Sequence, residues 1–162
     1  MDTSEFKNFM ADVPTCVAIV ATITESGLQA CTVSSVTSFD IQRPGMMIVL
    51  QSNSRTLKAI KESGTFSANI LDINQVPLAV HFSSKEKDLN FGGKAVFEID
   101  NETIMPFLKN CKRVVFCKVE KVVNLENSSV VFGNVMAILS SINNTPLIYF
   151  RRKYFALGDL LA

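Results

Sequence analysis

Hydroxyl side chains crowd one short segment of the chain, CTVSSVTSFD, which runs from residue 31 to residue 40. Five of seven consecutive positions carry a hydroxyl: Thr32, Ser34, Ser35, Thr37 and Ser38. Because side chains alternate between the two faces of a strand, neither face of this segment is cleanly apolar. The pattern is typical of an edge strand whose hydroxyls face water. It is equally typical of a strand that bulges at Ser34-Ser35 and turns hydroxyls and backbone N–H groups toward a ligand.

A second polar segment, Ser52-Asn53-Ser54-Arg55-Thr56, follows an apolar strand and precedes a helical pattern. The N-terminus of a helix presents unpaired N–H groups and a positive partial charge, to which these residues add hydroxyls and a guanidinium. Such a helix end can hold a phosphate group. The alternative is an ordinary serine N-cap beside a solvated arginine. Together, the two segments favour a phosphorylated cofactor.

The single histidine, His81, lies in the segment VHFSSKEKDLNFGG. A lone histidine beside a phenylalanine is more often a packed or surface residue than a catalyst. With a ligand nearby, Phe82 or Phe91 could cover an aromatic ring, and His81 or Lys85 could meet a negative group.

Familiar catalytic and metal-binding motifs are absent from the sequence. It contains no GxSxG, no HExxH, no GxGxxG after a strand, no CxxC pair and no set of Cys and His with zinc spacing. We therefore expect no metal site and no catalytic side chain of the usual kinds. Any demanding chemistry would belong to a cofactor that the protein binds and orients.

Apolar runs and turn residues predict the elements that position these segments. The predicted strands cover residues 16–24, 28–37, 46–50, 65–71, 113–124, 130–142 and 147–150, and the predicted helices lie within residues 2–13, 54–64 and 74–82. Residues 83–94 have the composition of a loop. Strands in antiparallel succession with short helices predict a mainly β, closed or partly closed antiparallel barrel rather than a parallel sheet.

Composition narrows the class of protein. A chain of 162 residues is expected to form a single domain, residues 1–162. Hydrophobic residues make up 48% and charged residues 19% of the chain, which indicates an extensive core or an additional buried surface such as a dimer interface. A net charge of +1 favours neither nucleic acid nor an anionic membrane. Unpaired cysteines and the lack of a long apolar run predict a cytoplasmic protein.

The order of the segments resembles the flavin reductase-like family, whose members have an FMN-binding split barrel of Greek-key type. Many of them are reductase components of two-component flavin monooxygenases. The resemblance covers most of the chain and rests on the segments VPTCVAIVAT, CTVSSVTSFD, NSRT, GTFSANIL, the helix ending in HFS, VVFGNV and PLIYFRRKY.

This resemblance implies a flavin reductase that transfers hydride from NADH or NADPH to FMN or FAD. It also implies a homodimer with the flavin at the interface, and a flavin-dependent monooxygenase as a partner. The residues that it assigns to the cofactor are Thr32, Val33, Ser34, Ser35, Gln51, Asn53, Ser54, Arg55, Thr56, His81, Phe82 and Ser83.

One departure from the family pattern affects the electron donor. Many members carry Gly-Asp-His before the VxxGxV-type strand, with the histidine on the nicotinamide side of the site. Here the sequence reads Glu126-Asn127-Ser128, and Arg152 stands where a glycine is common. The alternatives are therefore a flavin-binding protein without nicotinamide-dependent activity and a structural split barrel with an empty site.

Overall fold

The computed structural model describes residues 2–85, 88–141 and 145–158. These residues form helices α1 (Thr3–Ala11), α2 (Arg55–Ser63) and α3 (Val76–Ser83), with a 3₁₀ turn at Ile73–Gln75. Their strands are β1 (Thr15–Cys16), β2 (Ala18–Thr24), β3 (Gly27–Val33), β4 (Val36–Asp40), β5 (Gly45–Gln51), β6 (Thr65–Ile70), β7 (Asn90–Phe91), β8 (Lys94–Ala95), β9 (Phe97–Ile99), β10 (Pro106–Leu108), β11 (Arg113–Asn124), β12 (Ser128–Ser140), β13 (Leu147–Phe150) and β14 (Lys153–Ala156).

The main sheet has seven strands in the order β3-β2-β6-β11-β12-β5-β4, and every neighbouring pair is antiparallel. Its two edge strands, β3 and β4, are consecutive in the chain and are joined only by Ser34 and Ser35. Because so short a link spans only about 10 Å, the two edges must lie together and the sheet must curl. We call this junction at Ser34-Ser35 the seam. The prediction of a mainly antiparallel β-barrel is confirmed.

Strand β2 is buried on both faces, as its nearly continuous apolar run predicts. Val17 and Ile19 pack in one core cluster, which includes Phe82 of α3. Ala18 and Val20 pack in the other, which includes Leu57 and Ile60 of α2. Helices α2 and α3 therefore bury their apolar residues in different core clusters, and both helices are held against the barrel.

Strand bounds differ from the predictions where short-range signals are weak. The predicted strand 28–37 is two strands, β3 and β4, which pair with different neighbours and are interrupted at the seam. Part of the predicted loop 83–94 forms the small hairpin of β7 and β8. Strands β9, β10 and β14 were not predicted, because three or four residues are too few for a clear alternation. The predicted end of β12 at residue 142 lies outside the described residues.

Helix α1 begins after Asp2, whose carboxylate accepts a hydrogen bond from the N–H of Ser4 at 3.2 Å. None of its residues is buried. The Arg151 guanidinium lies 2.6 Å from the Asp12 carboxylate, and the Arg152 guanidinium donates to Asn8 at 2.7 Å. The turn between β13 and β14 therefore holds the helix against the barrel through polar contacts.

Among the helices in the described part of the chain, none combines the length and hydropathy needed to cross a bilayer.

Candidate functional site

An open cavity of about 480 Å³ lies beside the seam. Its wall is built from the ends of β3 and β5, the start of α2 and the end of α3. The lining residues are Gln29, Cys31, Thr32, Val33, Ser34, Ser35, Val49, Leu50, Gln51, Asn53, Ser54, Arg55, Thr56, Phe82, Ser83, Ser84 and Lys85. All but one of the residues assigned to a cofactor from the sequence are in this set.

The seam brings hydroxyls to the cavity because the strand is interrupted there. The Thr32 hydroxyl donates to the carbonyl oxygen of Ala79 at 2.7 Å, which ties β3 to α3. The N–H of Val49 donates to the carbonyl oxygen of Ser35 at 3.1 Å, which ties the seam to β5. Both side chains of Ser34 and Ser35 are exposed where they line the cavity. The segment is interrupted at Ser34-Ser35, and the strands on both sides of the interruption are edge strands of the sheet, so it has features of both readings.

The N-terminus of α2 faces the same cavity. Ser54 is its N-cap, with its hydroxyl 3.4 Å from the N–H of Leu57, and Gly64 ends the helix in the left-handed region at φ 70°. Both caps were predicted from the sequence. Because Arg55 and Thr56 line the cavity, the positive end of the helix dipole lies at its wall.

Arg55 connects two parts of the wall that are distant in sequence. Its Nη2 donates to the carbonyl oxygen of Lys85 at 2.7 Å, which holds the segment after α3 beside the start of α2. Ser83 is fixed in turn, since its hydroxyl donates to the carbonyl oxygen of Val80 at 2.7 Å. The arginine thus shapes the mouth of the cavity as well as supplying charge.

His81 is not among the described residues that line the cavity, so its assignment to the cofactor stays a prediction. Its Nε2 is 2.6 Å from the carbonyl oxygen of Asp88, and its ring packs edge-on against Phe82 and Phe91 at centroid distances of 4.9 and 5.3 Å. Phe82 lines the cavity but is 0% exposed. Its ring belongs to the core and is not presented to a ligand for stacking.

The charge of the wall is positive. Arg55 and Lys85 are its cations, and no carboxylate is among the lining residues that the structure describes. With the N-terminal end of α2, these groups give a site that favours an anion.

Cys31 lines the cavity, whereas Cys117 does not. Burial raises the pKa of the Cys117 thiol to about 12, which keeps that thiol protonated and inert.

Ser128 begins β12 directly opposite Gln51, the last residue of β5. Opposite residues of an antiparallel pair place their side chains on the same face of the sheet. The side chain at position 128 therefore lies next to that of Gln51, a residue of the cavity wall.

Sequence reasoning did not assign several wall residues to a cofactor: Gln29, Cys31, Val49, Leu50, Ser84 and Lys85. Gln29 and Cys31 lie two residues apart on β3, and Cys31 and Val33 are likewise two apart, so alternation along the strand was the available signal. Val49 and Leu50 carried no signal, since they read as ordinary residues of a buried strand.

Residues 10–158 match the sequence profile of the family described as flavin reductase like domain. This protein belongs to that family. Its solved relatives include the styrene monooxygenase flavin reductase from Pseudomonas putida S12, which is 25% identical with a TM-score of 0.87 and covers 97% of this chain and 99% of its own.

Two curated relatives extend the comparison. The FMN reductase (NADH) RutF of Bradyrhizobium diazoefficiens is 25% identical over 95% of this chain and 85% of its own length. The flavin reductase (NADPH) of Lentzea aerocolonigenes is 28% identical over 93% of this chain and 88% of its own length. This chain is thus similar over most of its length to relatives whose names specify different nicotinamide donors.

Proposed function

We propose that the cavity at the seam binds FMN or FAD and that the protein reduces the flavin with NADH or NADPH. One observation carries the proposal: the hydroxyl-rich seam and the positive end of α2 form a single wall with no carboxylate among its described residues. A flavin needs polar contacts along its ring edge and ribityl chain and a positive site for its phosphate. The residues present fit both needs.

The phosphate would lie at Asn53, Ser54, Arg55 and Thr56. The first N–H groups of a helix lack partners within the helix, and Ser54 satisfies only that of Leu57. Arg55 adds a guanidinium that is already fixed by its bond to Lys85, so little side-chain freedom remains to be lost on binding. The ring and ribityl chain would then extend toward the seam, against Thr32, Val33, Ser34 and Ser35.

A bound flavin would accept at N5 the hydride that leaves C4 of the reduced nicotinamide. The contribution of the chain is to bind and orient both molecules, because the cavity wall holds no histidine and no carboxylate among its described residues. Backbone N–H groups and hydroxyls at the seam would steady negative charge on the ring.

The nicotinamide donor is supported by the relatives named for NADH and NADPH. Position 128 lies beside the cavity wall, where Ser128 supplies a hydroxyl but no imidazole. This observation favours one second candidate, a flavin-binding protein that is reduced by another partner. The flavin site is common to both candidates, and they differ only in the source of electrons.

A homodimer is part of the proposal. Helix α1 presents Phe6, Phe9 and Met10 to solvent, with exposed fractions of 50%, 68% and 43%, and Val13, just after the helix, is 38% exposed. A second copy of the chain would cover these side chains and bury apolar surface. Light scattering in solution tests this, since we expect twice the mass of one chain at micromolar concentration.

Reduced flavin would be delivered to a monooxygenase partner, as the name of the styrene monooxygenase flavin reductase indicates for that relative. A cytoplasmic location agrees with the four cysteines, none of which forms a disulfide. Coupled turnover tests the partner, because a flavin monooxygenase mixed with this protein, flavin and NAD(P)H would oxidise its substrate.

The decisive experiment is anaerobic. The protein is mixed with FMN or FAD, NADH and NADPH are added separately, and the flavin absorbance band is followed. Catalytic bleaching confirms the reductase and names its donor. A bound flavin that neither nucleotide bleaches supports the second candidate. Failure to bind either flavin rejects the proposed site.

A further inference from the structure

A second groove, of about 360 Å³, opens beside the cavity along the outer face of α2. It shares three residues with the cavity: Asn53, Ser54 and Arg55. The two spaces are therefore neighbours across the residues that would hold the flavin phosphate. A ligand anchored at that phosphate can extend from the cavity into the groove.

The groove carries three cations. Arg55, Lys58 and Lys61 are spaced three residues apart on α2, which places them along one side of the helix over a rise of about 9 Å. No carboxylate is among the groove residues in the described part of the chain. The Lys61 ammonium donates to Asn124 Oδ1 at 2.8 Å, which fixes its position at the far end.

Burial and exposure separate the two sides of the helix. Leu57 and Ile60 are 1% and 0% exposed and anchor α2 in the core. Lys58 and Lys61 are exposed on the groove side. The lysines therefore do little for the helix packing, and their charge is available to a ligand.

We propose that this groove binds the adenylate half of FAD, so that the protein uses FAD in preference to FMN. The inference rests on the proposed function, since it places the flavin phosphate at Asn53, Ser54 and Arg55. FMN ends at that phosphate, whereas FAD continues with a second phosphate and adenosine. Lys58 and Lys61 would meet the second phosphate and the groups beyond it.

The test compares the affinity for FAD with that for FMN in Lys58→Gln, Lys61→Gln and the double variant, by flavin fluorescence at fixed salt. We expect affinity for FAD to fall about tenfold in the double variant and the FMN affinity to change less than twofold. Lys112→Gln is the matched control, because Lys112 is exposed and precedes the opposite end of β11 from Asn124. It should leave both affinities unchanged.

Other outcomes overturn the proposal. Equal losses of FMN and FAD affinity would place the lysines at the phosphate that both flavins share. Unchanged affinity for both would show that flavin does not bind in the groove. A higher KM for NADPH with unchanged FAD affinity would assign the groove to the nicotinamide nucleotide. In each of these cases anaerobic reduction of FMN by the wild-type protein still tests the reductase, so failure of the groove is distinguishable from failure of the proposed function.

Discussion

Gly133 in the barrel interior and Ser34-Ser35 at the seam are surrounded very differently. A Cβ atom added to Gly133 would lie 2.7 Å from the ring of Phe66 and 2.9 Å from the Cβ of Cys117. At the seam the strand opens instead onto a cavity of about 480 Å³. The sheet is therefore tightly packed in its interior and open at the seam. The residues that stabilise the fold and those of the proposed binding site lie in different places.

The largest expected effect is a difference in thiol reactivity between Cys117, next to Gly133 in the interior, and Cys31 in the cavity wall. Cys117 is 0% exposed and its pKa is raised from 9.0 to about 12, which lowers its thiolate fraction at pH 8 by about 1,000-fold relative to an ordinary thiol. Cys31 is half-buried in the cavity wall. We expect iodoacetamide to label Cys31 at least about 100-fold faster, as followed by peptide mass spectrometry.

Repeating the labelling with flavin present tests whether flavin binds in the cavity. Saturating flavin should slow the labelling of Cys31 and leave the labelling of Cys117 unchanged. Labelling of Cys31 that proceeds at the same rate with flavin bound would place the flavin elsewhere.

Filling the interior should destabilise the protein. Gly133→Ala places a methyl group against the Phe66 ring and the Cys117 Cβ, which must move, and we expect a loss of about 2 kcal/mol in the free energy of unfolding. Urea denaturation measures it. Gly158→Ala is the control, because a Cβ there meets no atom within 4 Å. Equal free energies of unfolding for Gly133→Ala and Gly158→Ala would show that the residues around Gly133 can shift to accommodate a methyl group.

Removing charge from the cavity wall at the start of α2 should affect binding more than stability. Arg55→Ala deletes the guanidinium of the proposed phosphate site and its bond to Lys85, so we expect flavin affinity to fall about tenfold. The urea midpoint should change little, since Arg55 is exposed. Arg43→Ala is the control, because its exposed ion pair with Glu120 lies outside the cavity. Undiminished affinity in Arg55→Ala would mean that the phosphate binds elsewhere.

The smallest effect is expected at position 128. Ser128→His places an imidazole beside Gln51 of the cavity wall, and we expect a gain of a few fold in NADH turnover with little change in flavin affinity. Stopped-flow reduction separates the two quantities. An unchanged rate would show that a missing imidazole does not limit hydride transfer.

Much of the fold follows from short-range patterns. The apolar run of β2 predicts a strand covered on both faces, and Ser54 and Gly64 predict the two ends of α2. These signals act over a few residues, through side-chain alternation and capping, and they survive in any tertiary context. Hydroxyls at the seam and at the start of α2 also mark part of the cavity wall.

His81 shows what such reasoning leaves open. A lone histidine beside a phenylalanine is more often packed than catalytic, and its ring is held by the Asp88 carbonyl and by two phenylalanines. These contacts are made in the fold, and its residue type could not specify them. Val49 and Leu50 line the cavity but were not predicted to do so, because nothing in the sequence distinguishes an apolar strand residue at a cavity from one in the core.

The sequence by itself determined the longer elements, the caps of α2 and the polar segments that we propose for flavin binding. Only the tertiary structure decided that those segments meet. Closure of the sheet at the seam joins β3 to β5, and the bond from Arg55 to the Lys85 carbonyl spans 30 residues. Contacts between distant residues depend on how the whole sheet curls, so no local pattern can specify them.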